Sequence, residues 1–163
     1  MKGKIETSHG PIEVELFEAQ VPKTVRNFVE LARSGFYNGL VFHRIVKGFV
    51  IQTGDPNTRN GAGRRPEWGT GGSGKTVPLE IVSSLRNDEG TLGMARSSDP
   101  NSGSSQFYIN LRNNNSLDGN YTVFGKVTKG IEAVRAISGV AVDRNDAPIN
   151  FVEAMMKSVS IFE

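Results

Sequence analysis

Arg44, Gln52 and Gln106 are the residues of this chain whose types and surroundings point to chemistry. Arg44 sits inside Val41-Phe42-His43-Arg44-Ile45-Val46-Lys47-Gly48-Phe49-Val50-Ile51-Gln52, a run that otherwise reads as buried strand. Arginine is seldom fully buried without a partner, so a guanidinium there implies either a hidden ion pair or a group aimed into a cleft. Gln52 follows beyond Gly48, and Gln106 lies in Ser105-Gln106-Phe107-Tyr108-Ile109, again beside strand-forming aromatics. None of these side chains acts as a nucleophile or metal ligand at neutral pH. Together they suit binding and polarising an amide rather than cleaving it.

Little else in the chain competes for a chemical role. Without cysteine there is no disulfide framework, thiolate nucleophile or Cys-ligated zinc. The only histidines are His9 and His43. His9 falls in a turn, while alternation along a strand turns His43 away from Arg44, so it reads as a satisfied core histidine rather than a general base. No nucleophile elbow accompanies it, and Asp143, Asp146 and Glu153 lack the spacing of a calcium cage. Gly69-Thr70-Gly71-Gly72-Ser73-Gly74-Lys75-Thr76 matches the phosphate-loop pattern letter for letter. Such a loop works only between a buried strand and a helix N-terminus. Here Arg64-Arg65-Pro66-Glu67-Trp68 precedes it and Val77-Pro78-Leu79-Glu80 follows, so a flexible surface loop is the better reading and no cofactor is expected.

The elements that must position the polar trio can be read from periodicity. Ile12, Val14 and Leu16 alternate with Glu13 and Glu15 as in a half-buried strand, paired with the segment around Ile5 across a turn set by Gly10 and Pro11. Pro22 opens a helix with Val25, Phe28, Val29 and Ala32 on one stripe, and with Arg26, Asn27, Glu30 and Arg33 facing out, ended at Gly35. Strands are expected at 41–46, 49–53, 91–95, 106–111, 122–127 and Met156 to Phe162, and a second helix at 130–138. Many short strands with two separated helices and no βαβ alternation favour a mainly β fold, a closed or nearly closed antiparallel sheet capped by helices. The glycine-rich stretch from Asn57 to Thr76 is long for a loop in a compact domain unless it has a function.

The 163 residues fit a single domain, 1–163, and 19 basic against 17 acidic residues leave a formal charge of +2. That near balance does not describe a nucleic-acid binder, which carries a concentrated basic face. No stretch approaches the roughly 20 apolar residues of a membrane span, and Met1-Lys2-Gly3-Lys4-Ile5-Glu6 has no secretory apolar core. A soluble cytoplasmic monomer is therefore expected.

Taken together, Phe42-His43-Arg44-Ile45, Gly48-Phe49-Val50-Ile51-Gln52, Gly54-Asp55, Met94-Ala95, Ser105-Gln106-Phe107 and Leu117-Asp118-Gly119 with Val123-Phe124-Gly125 resemble the signature series of the cyclophilins. The resemblance covers essentially the whole chain and looks most like the bacterial single-domain members. It implies an eight-stranded antiparallel closed β-barrel capped by two α-helices, and peptidyl-prolyl cis-trans isomerase activity that assists folding without a cofactor. By the same resemblance Arg44 hydrogen-bonds the prolyl nitrogen and Gln52 holds the substrate carbonyl. Phe49, Val50, Tyr108 and Leu117 grip the proline ring, while Ala95, the main chain of Arg96, and Gln106 line the groove beside it.

Val50, Tyr108 and Arg96 replace a common methionine, phenylalanine and asparagine of the family. Ser116 and Tyr121 stand where well-studied eukaryotic members carry tryptophan and histidine, which implies weak cyclosporin binding. Proline-containing peptides and folding polypeptides are the implied partners. A non-catalytic module that binds proline segments, or a chaperone, is the alternative; Arg44 speaks against it, since a pure binder needs no cation beside an apolar pocket.

Overall fold

A computed structural model describes all 163 residues. The alternating residues of β2 (Gly10–Leu16) bury Ile12, Val14 and Leu16, and β2 pairs antiparallel with β1 (Lys2–Thr7), placing Ile5 opposite Ile12. Ser8 and His9 form the turn, rather than Gly10 and Pro11. Thr7 Oγ1 closes it, donating to the Gly10 carbonyl at 2.7 Å and accepting from the His9 N–H at 3.1 Å. Gly10 and Pro11 already stand in the ladder opposite Thr7 and Glu6.

Helix α1 (Pro22–Arg33) begins on proline and buries Val25, Phe28, Val29 and Ala32, as the 3.6-residue period requires. Asn27, expected to face out, is buried instead, because the loop preceding Gln106 covers that flank and the Asn27 Nδ2 donates to the Ser104 carbonyl at 2.6 Å. The helix also lacks a side-chain cap from Val21. Glu80, distant in sequence, supplies one: its carboxylate accepts from the Thr24 N–H and Oγ1, both at 2.7 Å, and from the Lys23 N–H at 3.3 Å. A negative charge on the orphan N–H groups of a first turn is favourable both as hydrogen-bond acceptor and against the helix dipole.

The remaining elements are β3 (Leu40–Val41), β4 (Arg44–Val46), β5 (Val50–Thr53), β6 (Thr91–Met94), β7 (Phe107–Asn110), β8 (Val123–Lys129), α2 (Ile131–Ser138) and β9 (Met155–Phe162). All pairings are antiparallel, in the order β3-β9-β1-β2-β8-β6-β7-β5-β4. The architecture is the expected mainly β one with two helices. It has nine strands rather than eight because the stretch 41–46 divides: the Phe42 N–H turns to the Ala154 carbonyl at 2.8 Å, and pairing passes from β9 on one side to β5 on the other.

The two ends of the strand order, β3 and β4, are consecutive in the chain with only Phe42 and His43 between them. The sheet must therefore curl until its edges meet. Main-chain groups of Val41 and Ile45 are engaged outside the ladder. The Val41 N–H donates to Thr58 Oγ1 at 3.0 Å, the Val41 carbonyl accepts from Thr53 Oγ1 at 2.9 Å, and the Ile45 N–H donates to the Asp146 carbonyl at 2.7 Å.

Inside the curl, Phe28, Tyr37, Phe107 and Phe124 pack as a fully buried aromatic cluster, and the Tyr37 hydroxyl donates to the Ser105 carbonyl at 3.0 Å. The stretch from Asn57 to Thr76 is not the structureless surface loop its composition suggests. It contains short 3-10 turns at Pro56–Gly61 and Arg65–Glu67, and the buried Asp55 carboxylate ties its two ends through the N–H groups of Asn57 at 2.8 Å and Gly69 at 2.5 Å. No helix is long and apolar enough to cross a membrane.

Removing the borrowed cap tests how α1 is held. Glu80→Ala should cost about 1–2 kcal/mol, the usual worth of a charged helix cap, and lower the melting temperature by about 2–6 °C. A melting curve superimposable on that of the unaltered protein would show that Glu80 does not cap the helix in solution.

Candidate functional site

Antiparallel register places Arg44 opposite Gln52, Gln52 opposite Tyr108, and Tyr108 opposite Gly93. Directly opposed residues share a face of the sheet, so these four form a row across β4, β5, β7 and β6. The neighbouring positions Ile45, Ile51, Ile109 and Leu92 make the matching row on the other face and are fully buried. One hydrophobic row in the core thus holds the row of Arg44, Gln52, Tyr108 and Gly93 above it.

Arg44 is exposed on that upper face and takes part in none of the ion pairs of the protein. Of the two explanations its sequence context allows, the cleft applies. Its Nη1 donates to Gln52 Oε1 at 3.2 Å, Gln52 Nε2 donates to Gln106 Oε1 at 3.0 Å, and Gln106 Nε2 donates to the carbonyls of Gly69 and Gly71 at 3.0 and 2.8 Å. A carbonyl can only accept, so those two fix which end of the Gln106 amide is the donor. That choice orients Gln52, and Gln52 in turn presents an oxygen to Arg44.

A cavity of about 460 Å³ opens beside the row. Phe49, Val50, Tyr108, Leu117 and Tyr121 supply its apolar wall, with Ala95 and Arg96 at one side and Arg44 and Gln52 at the other. Gln106 stands behind Gln52 and lines an adjoining cavity. Ser116 is not brought into the cavity wall; it is exposed on the 3-10 turn Asn115–Leu117. Arg96, expected to contribute main chain only, also uses its guanidinium. It stacks over the Tyr121 ring at 4.8 Å and donates to the carbonyls of Asn120 and Ser97 at 2.8 and 2.9 Å.

Behind the apolar wall lies a buried polar network that the sequence reading did not anticipate. The Tyr108 hydroxyl donates to Asn87 Oδ1 at 2.7 Å, Asn114 Nδ2 donates to the Phe49 carbonyl at 2.9 Å, and the Asn87 N–H donates to Asp118 Oδ1 at 2.7 Å. Asn110 joins the two halves: its Nδ2 donates to Asn87 Oδ1 at 3.2 Å and its Oδ1 accepts from Asn114 at 2.9 Å. Three of the residues lining the apolar wall, Tyr108, Phe49 and Leu117 next to Asp118, are therefore referenced to one set of asparagines. Gly93 was missed as well. A Cβ there would lie 2.1 Å from Tyr108 Cζ, so only glycine lets that ring lie flat on β6.

Burial and hydrogen bonding shift three titratable groups around the site. Burial, assisted by Tyr121 and Asp118, raises the Tyr108 hydroxyl well above its ordinary value, so it remains a donor. Partial desolvation pushes the Asp118 carboxyl up, but hydrogen bonds from Asn87, Arg86 and Asn115 outweigh it and bring the group below its usual range. His43, buried beneath the row, is lowered chiefly by desolvation, with the charge of Asp55 pulling the other way. It is not the fully satisfied core histidine expected, because its buried Nδ1 has no hydrogen-bond partner.

Comparison with known proteins agrees with this geometry. Residues 3–159 match the family model described as cyclophilin type peptidyl-prolyl cis-trans isomerase/CLD. Peptidyl-prolyl cis-trans isomerase CYP18-2 of Arabidopsis thaliana is 41% identical over 161 residues, covering 95% of this chain and 91% of that protein. Peptidyl-prolyl cis-trans isomerase-like 3 of Dictyostelium discoideum is 42% identical over 162 residues, covering 99% and 95%. A crystal structure of a Cryptosporidium parvum cyclophilin type isomerase, determined in the presence of the dipeptide Ala-Pro, superposes with a TM-score of 0.89 at 34% identity, covering 100% of this chain and 99% of that one. Whole-length agreement in sequence and in fold, on top of an arginine held over an apolar cavity, shows that the chain belongs to the cyclophilin-type peptidyl-prolyl cis-trans isomerases.

Proposed function

We propose that Arg44 and Gln52 are the catalytic pair of this isomerase, and that Phe49, Val50, Tyr108, Leu117 and Tyr121 grip the proline ring of the substrate. The carrying observation is the Arg44 guanidinium, free of any carboxylate and oriented by Gln52 at the mouth of an apolar cavity. Rotation about a peptide bond is slow because the nitrogen lone pair is delocalised into the carbonyl, a barrier of about 18–20 kcal/mol. A cation that hydrogen-bonds the prolyl nitrogen as it becomes pyramidal removes that delocalisation. A 10⁵-fold acceleration requires about 7 kcal/mol of preferential transition-state stabilisation, to which the charge and the fixed ring both contribute. A salt-bridged arginine would serve a binding module as well; an unpaired one at this position serves catalysis. The proposal extends to proline-containing peptides and folding polypeptides as substrates, acted on by a cytoplasmic monomer. Uncatalysed X-Pro isomerisation takes tens to hundreds of seconds, long enough to limit folding. Cyclosporin, on this reading, binds weakly, since Ser116 is exposed and offers no aromatic wall.

Three measurements test these assignments. Arg44→Ala should lower turnover of a short Ala-Pro peptide, followed by NMR exchange spectroscopy, by two to three orders of magnitude, about 3–4 kcal/mol, with the melting temperature retained. Arg44→Lys should recover little, because an ammonium does not reproduce the planar fork. Loss of the fold in Arg44→Ala would instead make Arg44 a structural residue. Gly93→Ala should drive the Tyr108 ring out of place and raise KM more than it lowers kcat; unchanged KM would mean that Tyr108 does not contact the substrate.

The pH dependence follows from the lowered His43. Turnover should be flat from about pH 6 to 9, since rotation about the bond transfers no proton, and a bell-shaped profile would reveal a general acid or base. Stability should behave differently. The unfolded chain protonates His43 near pH 6.5 and the folded one only at lower pH, so its contribution is complete above about pH 6.5 and is lost as pH falls toward the folded value. Asp118 adds a second loss at more acidic pH, beginning as pH falls through its ordinary carboxylate value and complete below its folded one. Denaturant midpoints that do not fall between pH 7 and 5 would contradict the buried, neutral state of His43.

A further inference from the structure

The proline cavity is bounded on one side by two segments that part at the end of a ladder, residues 95–104 after β6 and residues 115–121 before β8. The last ladder bond runs from the Met94 N–H to the Thr122 carbonyl at 2.9 Å, and the next N–H, that of Ala95, points to the opposite neighbour, donating to the Gln106 carbonyl at 3.0 Å. Strand alternation would next send the Arg96 N–H toward the β8 side. That bond is not made. The side chain of Arg96 takes its place, with Nε donating to the Asn120 carbonyl at 2.8 Å, and this is the one hydrogen bond that joins the two segments. Ala95 and Arg96 on one segment and Leu117 and Tyr121 on the other all line the cavity, so its width here is set by a side chain rather than by a sheet.

The far segment is held unequally along its length. Asp118 is anchored by the Asn87 N–H, Arg86 and Asn115, but Gly119, at φ +80°, stands between that anchor and the Asn120–Tyr121 end. Two ring contacts set the attitude of Tyr121. Its ring meets the Tyr108 ring edge to face, with centroids 6.0 Å apart, and the Arg96 guanidinium lies 4.8 Å over its centre. Tyr108 is itself tethered through its hydroxyl to Asn87. The guanidinium is fixed as well, since Nη1 donates to the Ser97 and Ser98 carbonyls at 2.9 and 3.4 Å and no carboxylate pairs with it. Tyr121 is therefore clamped between one tethered ring and one tethered cation, and Arg96 holds both its main-chain neighbour and its face. A guanidinium stacked on an aromatic face and forked onto carbonyls is a stiffer strut than any single contact of the same groups.

We propose that the Arg96 guanidinium is a positioning residue of this isomerase: acting through Tyr121, it fixes the width of the proline cavity and so its selectivity for the five-membered ring of proline over the six-membered ring of the homologous imino acid, pipecolate. The proposal rests on the isomerase reading and assigns the residue that sets ring specificity. An apolar pocket with fixed walls rejects one extra methylene by about 10- to 200-fold, and a wall that yields gives that discrimination up. Arg44 and Gln52 stand on the other side of the cavity and keep their own hydrogen bonds whether or not Arg96 is present, so binding and ring selectivity respond to the strut while the rotation step does not.

The test compares two peptides that differ only in an Ala-proline or Ala-pipecolate bond, with kcat and KM read by exchange NMR for the unaltered protein, Arg96→Ala, Arg96→Lys, Tyr121→Ala and the double variant Arg96→Ala/Tyr121→Ala. The unaltered protein should favour the proline peptide by about tenfold or more in kcat/KM. Arg96→Ala should raise KM for that peptide by about three- to tenfold with kcat within about twofold, and should shrink the preference for proline to about threefold or less. Arg96→Lys should recover little, because an ammonium has no plane to lay on the ring. Once Tyr121 is alanine, removing Arg96 should change KM and the ring preference no further, the non-additivity expected of a residue that acts through another. If Arg96→Ala does not fold, Arg96→Lys closes the same cycle with Tyr121→Ala. Equal turnover of the two peptides by the unaltered protein, an unchanged KM and ring preference in the Arg96 variants, or an Arg96 effect of the same size with and without the Tyr121 ring would each overturn the proposal and leave the isomerase reading in place. Turnover of neither peptide by the unaltered protein would overturn the isomerase reading and the proposal with it.

Discussion

Two backbone carbonyls, those of Gly69 and Gly71, set the polarity of everything that follows in the site. They admit only a donor, so the Gln106 amide has one orientation, and the chain of side-chain hydrogen bonds through Gln52 ends with an oxygen facing Arg44. Reversing Gln52 would turn an NH₂ group toward the guanidinium, reversing Gln106 would turn one toward the Gln52 NH₂, and two donors cannot satisfy one another. The carbonyls are held by their own loop, which Asp55 ties down through the Gly69 N–H. A buried carboxylate in the scaffold therefore orients an exposed cation at the site, across a loop backbone and two side chains, without touching it.

The hydrophobic wall of the site has an equivalent support in the asparagine network. Buried asparagines are expensive unless fully hydrogen-bonded, and Asn87, Asn110 and Asn114 satisfy one another as well as Tyr108, Asp118 and the Phe49 main chain. A phenylalanine at position 108 would fill the same volume but would leave the Asn87 oxygen one donor short. The tyrosine converts a ring resting on glycine into a ring tethered at its far end.

Much of this was legible along the chain and some of it was not, for reasons of range. The pairing of Arg44 with Gln52 is implied by their equal distance from Gly48, because a hairpin centred there opposes residues whose numbers are symmetric about it. The stripe of α1 and the alternation of β2 follow from periodicity alone. Contacts between segments far apart in sequence leave no such trace. Asn27 looked outward by period and is covered by the loop around Ser104; Glu80 gave no sign that it caps a helix 56 residues earlier. The break after Val41 was hidden because Phe42 and His43 are as buried as strand residues, and only the change of partner strand separates them. Ser116 was placed by likeness to relatives, and likeness does not say on which side of a short turn a side chain emerges.

The curled sheet has a bearing on the company this protein keeps. An extended proline-containing peptide has backbone donors and acceptors that are unpaired and ready to add to any open strand. A free sheet edge would capture them by β-augmentation and turn a transient encounter into a lasting one. Here the two terminal strands are only two and three residues long, are joined through Phe42 and His43, and have groups of Val41 and Ile45 occupied by Thr58, Thr53 and Asp146. The chain being processed finds no template along the rim, and is left to engage through its proline and the side chains beside it, from which it can be released.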